Sequence, residues 1–130
     1  MDREYLNPPE LAPSPAGMYN HVVKVGNTAY ISGQVPRGPD GKAMHPGDAD
    51  AQIRMVWSNL EIAVTAAGGT LKDIVKTTTY VVGAENLAKI REARMELLPP
   101  EGRPTSTTLV VSRLADPDFL VEVEAIAVID

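Results

Sequence analysis

The chain is 130 residues long, the size of one compact domain with no room for a second core. Its 44% apolar and 22% charged composition is that of a globular protein, and 17 acidic against 12 basic residues leave a charge of −5 with no Lys/Arg cluster for holding a nucleic-acid backbone. The absence of cysteine excludes disulfides, thiolate nucleophiles, iron–sulfur clusters and cysteine-ligated zinc, and two histidines, His21 and His45, argue against a histidine-rich metal site.

From the N-terminus, MDREYLNPPELAPSPAGMY lacks the apolar run of about 7–15 residues that follows a basic segment in a secretory signal. No stretch approaches the length of a membrane span, so the expectation is a soluble, cytoplasmic protein that engages neither membrane nor nucleic acid. Four prolines between Pro8 and Pro15 oppose helix and ladder alike, and residues 1–16 read as an extended arm on the surface, with residues 17–130 as the single domain. His21–Val25 and Thr28–Ser32 are β-rich runs flanking Gly26-Asn27, a dipeptide suited to the positive φ of a two-residue hairpin turn. Three prolines and three glycines in Pro36–Asp48 mark a loop.

Beyond it, Asp48 or Asp50 can cap a helix in which Ile53, Val56, Trp57, Leu60, Val64 and Ala67 recur at spacings of three and four, ended by Gly68-Gly69. Asp73–Val82 is rich in β-branched residues and reads as a strand. Glu85–Leu98 returns to helical spacing through Leu87, Ile90, Ala93 and Leu97 and stops at Pro99-Pro100. Strands Thr105–Ser112 and Phe119–Ile129 follow, separated by the turn-forming LADPD. The order β-β-α-β-α-β-β predicts an α/β sandwich of one mixed sheet with two helices on one face.

Two helices leave the other face of such a sheet bare. In the last strand the odd positions (Phe119, Val121, Val123, Ala125, Ala127) suit the helix side, which puts Leu120, Ile126 and Val128 on the side a monomer exposes. Exposed apolar area of that kind marks an interface, so a homo-oligomer is expected.

Glu122 and Glu124 share one face of that strand among apolar neighbours, where desolvation favours the protonated carboxyl and tunes a general acid or base. The alternative is a pair of solvated or ion-paired carboxylates. Tyr19-Asn20-His21 places a phenol and an imidazole where the arm enters the first strand, as a binding group or as a plain strand start. Thr105-Ser106-Thr107-Thr108 lacks the GxSxG elbow of a serine hydrolase, and the glycines match neither GxGxxG nor GxxxxGK[ST], so no nucleotide site is expected.

GMYNHVVKVGNTAYISGQVP (17–36), AQIRMVWSNLEIAVTAAGGTLKDIVKTTTYV (51–81), RPTSTTLVVSRL (103–114) and VEVEAIAV (121–128), in that order, resemble the RidA/YjgF reactive-intermediate deaminase family over nearly the whole chain. The resemblance implies a chorismate-mutase-like domain assembled as a homotrimer, with small-molecule clefts between subunits and no metal or organic cofactor. It implies water addition to an enamine or imine, releasing ammonia and a 2-keto acid. By position, Glu124 matches the water-handling glutamate, Tyr19 the cleft tyrosine and Gly33 the glycine of the SGQ turn. The family's carboxylate-gripping arginine of P-x-R-S does not carry over, because Ser106 stands in its place. Loss of a bidentate, charge-assisted pair costs about 2–5 kcal/mol, which implies a substrate other than the usual 2-imino acids. Arg91, near a position that lines the family's cleft, and Arg103 are candidates for the missing charge, each against an ordinary surface role, and Arg113 suits a structural contact. His21, where many members carry Gln, adds a titratable group beside the cleft.

The expected function is therefore a hydrolase or deaminase of the enamine/imine type with Glu124 handling water and Tyr19, Gly33, Ser106, His21 and Arg91 contacting the substrate. The alternative is a non-catalytic small-molecule binder or regulator using the same cleft. The ribonuclease or translation-inhibitor activity of some relatives fits poorly with the acidic charge.

Overall fold

A computed structural model describes residues 1–130. The strands are β1 (Arg3–Leu6), β2 (Val22–Val25), β3 (Thr28–Gln34), β4 (Ile74–Val82), β5 (Thr105–Val111) and β6 (Val121–Val128), with helices α1 (Ala49–Ala66) between β3 and β4 and α2 (Leu87–Leu97) between β4 and β5. They form one mixed sheet in the order β1-β2-β3-β6-β4-β5, in which only β4 and β5 run parallel. The α/β sandwich expected from the element order is observed, together with one strand more.

That extra strand is β1, within the segment read as an arm. Arg3–Leu6 pairs antiparallel with β2, Arg3 opposite Val25 and Leu6 opposite Val22, and so covers an edge that would otherwise expose unpaired backbone groups. REYL carries two charged residues and no alternation, so nothing local marks it as a strand. The prolines act only from Pro8 onward, where pairing stops. Past them the segment stays docked: Leu11 enters the core, and Asn7 Oδ1 accepts the backbone N–H of His21 at 2.9 Å.

Each end of α1 is closed by a specific contact. Asp48 Oδ1 accepts the N–H of Ala51 at 3.0 Å. At the other end the N–H of Gly69 reaches Val64 O and that of Gly68 reaches Thr65 O, both at 2.9 Å, a Schellman pair made possible by Gly68 at φ +94°. Lys24 Nζ adds a bond to Ala67 O at 2.8 Å, a cation at the negative end of the helix dipole. The predicted second helix begins two residues late because Ala84–Asn86 forms a 3-10 turn first.

The core lies between α1 and the sheet: Ile53, Val56, Leu60 and Val64 of α1 meet Ala29, Ile31, Val81, Val121, Val123 and Ala127. The odd residues of β6 are all buried, as its alternation predicts, while Ile126 is half-buried and Val128 exposed on the other face. β4 shows the same division, with Thr77, Thr79 and Val81 buried against the helices and Lys76, Thr78 and Tyr80 turned away. No helix is long and apolar enough to cross a membrane.

Candidate functional site

Between Ile31 and Gln34 the pairing of β3 with β6 slips by one residue. Ile31 lies opposite Ala125 and Gln34 opposite Val123, so Ser32 and Gly33 together face Glu124. A bulge of this kind bends the strand and re-aims its side chains, and here it opens the sheet beside the two carboxylates. Glu122 lies directly on the Gly33 backbone: a Cβ added at Gly33 would stand 2.8 Å from Glu122 Cδ, so only glycine leaves the carboxylate where it is.

A cleft of about 490 Å³ forms there, lined among others by Met18, Tyr19, Gly33, Arg37, Glu122 and Glu124. A second hollow of about 200 Å³ on the bare face has Tyr30, Lys76, Thr78, Glu124 and Ile126 in its wall, so Glu124 stands between the two. Glu122 is half-buried and Glu124 exposed. Burial pushes the Glu122 carboxyl above the usual carboxylate range, the neighbouring charge of Glu124 adds to this, and Arg37 acts in the opposite sense. Tyr80 donates its phenolic proton to Glu124 Oε1 at 2.9 Å, and that bond, helped by burial, raises the Tyr80 phenol above its usual value. The arrangement leaves one carboxylate oriented by a phenol and one whose carboxyl burial holds above its usual range, both lining the cleft.

His21 differs from its expected role. Its ring is buried and both nitrogens are engaged within the chain, Nε2 with Ala12 O at 2.7 Å and Nδ1 with Gln34 Nε2 at 3.1 Å. The carbonyl can only accept, so Nε2 is the donor in the first of these contacts. The imidazole thus ties the proline segment to β3, and it borders the site through an edge contact with the Tyr19 ring, centroids 6.0 Å apart, and through a small hollow whose wall it shares with Gly33 and Arg37.

Ser106 pairs across the ladder with Thr77, whose side chain lies on the helix face, whereas Glu124 pairs with Thr78 on the bare face. The two predicted residues therefore occupy opposite faces of one sheet, with β4 between their strands, and one chain does not bring them to a single ligand. Arg91 is exposed on α2 with no hydrogen bond or ion pair. Arg103 and Arg113 are occupied by backbone carbonyls, Arg103 Nε with Pro99 O at 3.1 Å and Arg113 Nε with Leu114 O at 3.0 Å.

Two arginines that sequence reasoning passed over are better placed. Arg37 lines the carboxylate cleft with its guanidinium 5.1 Å from the centre of the Phe119 ring. Arg94 donates from Nη1 to Ser106 Oγ at 2.7 Å. Arg37 lies in a loop and Arg94 on the polar flank of a helix, so neither carried a periodic or motif signal. Gln52, fully buried in α1, was missed as well. It donates to the carbonyls of Met44, His45 and Asp118 and accepts the N–H of Leu120, fastening α1 to the two loops beside the cleft. No three His, Cys, Asp or Glu side chains are grouped to hold a metal ion.

The endoribonuclease L-PSP family model matches residues 9–129. A RutC family protein of Pyrococcus horikoshii is 38% identical over 118 residues, covering 91% of this chain and 92% of that protein. The 3-aminoacrylate deaminase RutC of Acinetobacter baylyi is 32% identical over 119 residues, covering 92% of this chain and 93% of its own. Among solved structures, TdcF of Escherichia coli with bound serine matches with a TM-score of 0.85 at 31% identity, over 98% of this chain and 100% of that one.

Proposed function

The chain belongs to the RidA/YjgF family, and from that premise we propose that it hydrolyses a small enamine or imine, with Glu124 as the base that activates water. The observation that carries the reading is the Tyr80–Glu124 hydrogen bond at the mouth of the bulge, which fixes one carboxylate oxygen and leaves the other for a water molecule. Water adds to the C=N carbon as Glu124 takes its proton. Glu124 returns that proton to the nitrogen to give the carbinolamine, whose O–H proton then passes through Glu124 to the same nitrogen as the C–N bond breaks, so that ammonia leaves and a C=O remains; an enamine joins this route after tautomerising to the imine. Family-level deaminase chemistry is supported by the names of relatives, including the 3-aminoacrylate deaminase.

The cleft is completed between protomers of a homotrimer. Support for this comes from the opposite faces on which Ser106 and Glu124 stand, since a shared ligand requires one residue from each of two chains. The bare face also carries Tyr30 at 50% exposure, and the edge strand β5 exposes Leu109 and Val110, apolar surface that a second chain would cover. Sedimentation that finds a monomer at micromolar concentration refutes this part.

The chemical test is ammonia release from an imine generated in solution by a pyridoxal-phosphate enzyme. The wild type should accelerate it, and Glu124→Gln should lower the rate by about a hundredfold or more. No acceleration, with stabilisation of the protein by metabolites, would establish the non-catalytic binder instead. A charge of −5 and two carboxylates in the cleft speak against an RNA phosphate backbone as the substrate.

A further inference from the structure

Arg94 stands apart from the other arginines. Arg54 is paired with Asp50 and Glu96, while Arg37, Arg103 and Arg113 donate to backbone carbonyls. Arg94 is half-buried, has no carboxylate within ion-pair distance, and makes a single hydrogen bond, to the neutral hydroxyl of Ser106. One of its five N–H donors is used, and the charge is taken partly out of water with nothing opposite it. Partial burial lowers its pKa, and the positive charge of Arg103 lowers it further, both signs of a cation that lacks a counter-charge.

The surroundings fit an anion. Ser106 accepts from Arg94, which leaves its own O–H free to donate in the same region. Ser106 and its same-face neighbours Thr108 and Val110 are exposed because α2 packs on α1 and does not cover β5. Arg91, one turn before Arg94 on the same helix, adds a second cation that is not paired. Arg103, held by the carbonyls of Leu98 and Pro99, contributes a fixed positive charge.

We propose that Arg94 and Ser106 form a carboxylate seat, the guanidinium and the hydroxyl donating together to the acid group of a small ligand. The guanidinium fork supplies two parallel donors that a serine alone lacks. In this protein the positive charge comes from α2 rather than from the strand that carries Ser106. The seat stands within one protomer, and its delivery of a substrate to Glu124 rests on the trimeric cleft proposed above.

The test titrates the intact wild-type protein with 2-oxobutanoate and with its uncharged methyl ester, following the Arg94 Nε–H resonance and the heat of binding. The acid should shift that resonance and bind at least tenfold more weakly to Arg94→Ala, with Arg94→Lys intermediate and Ser106→Ala reduced a few-fold. Ester binding should be unchanged in all three. An unmoved Arg94 resonance in the wild type, or an Arg94→Ala protein within twofold of wild-type affinity for the acid, overturns the seat. The wild-type resonance decides the matter even if a variant fails to fold. Carboxylate binding at Arg94 without ammonia release would sustain the seat and remove the deaminase reading. Ammonia release with KM for an acidic imine unchanged in Arg94→Ala would do the reverse.

Discussion

Replacement of Gln52 by Leu removes four hydrogen bonds from a site with 0% exposure while nearly conserving volume. The N–H of Leu120 loses its acceptor at 2.8 Å, and the carbonyls of Asp118 and Met44 lose their donor. His45 O keeps the N–H of Asp48 at 3.1 Å. An orphaned buried N–H costs about 1–3 kcal/mol and each carbonyl that water can partly reach about 0.5–1, so the loss is about 3 kcal/mol. For a domain of this size that is a fall in Tm of about 12 °C. Urea denaturation at fixed protein concentration reads it directly, with fixed concentration needed because assembly shifts apparent stability. Gln52→Glu separates hydrogen bonding from packing. It keeps an acceptor for Leu120 but sets an anionic oxygen against three carbonyls, which raises the folded-state pKa. A raised folded pKa means that stability is present below the unfolded value near 4.3 and is lost as pH rises through the folded one, so Gln52→Glu should recover in acid while Gln52→Leu stays flat. A Gln52→Leu protein within about 1 kcal/mol of wild type would show that water takes over the orphaned groups and would refute the assignment.

Glu122, whose carboxyl is held above the usual range mainly by burial, is a net cost once ionised. Glu122→Gln should therefore raise Tm at pH 7–8, and the gain should shrink as pH falls toward the unfolded value near 4.3; a gain independent of pH refutes the titration. Gly33→Ala should destabilise by less than about 1 kcal/mol, because the nearest group its Cβ meets is the Glu122 carboxylate, which can swing into the open cleft, and the cost should vanish when Glu122→Ala is added, as a double-mutant cycle on urea midpoints will measure. Asp48→Ala should cost about 1 kcal/mol by freeing the N–H of Ala51, seen as a loss of Tm of about 4 °C with activity unchanged.

Elements whose signal is local and periodic were legible from the chain alone. The core face of α1 follows from its spacing of three and four, its end from Gly68-Gly69, and the burial of β6 from alternation, because helix and strand geometry maps sequence period onto a face regardless of partners. The bare sheet face and the Glu122/Glu124 pair were legible for the same reason, and the ordered motifs of the resemblance pointed to Tyr19, Gly33 and Ser106. Tertiary structure alone decided which groups meet. REYL becomes a strand because β2 offers it an edge, His21 becomes a strut because Ala12 and Gln34 close on its ring, and Gly33 receives Glu122 through a one-residue slip that no pattern announces. The register of β4 with β5 and β6 put Ser106 and Glu124 on opposite faces, and the packing of α2 brought Arg94 to Ser106 from twelve residues away. A residue's type and spacing determine which face it presents. The long-range pairing of strands and helices determines what stands opposite that face, and the chemistry of a site between elements depends on both.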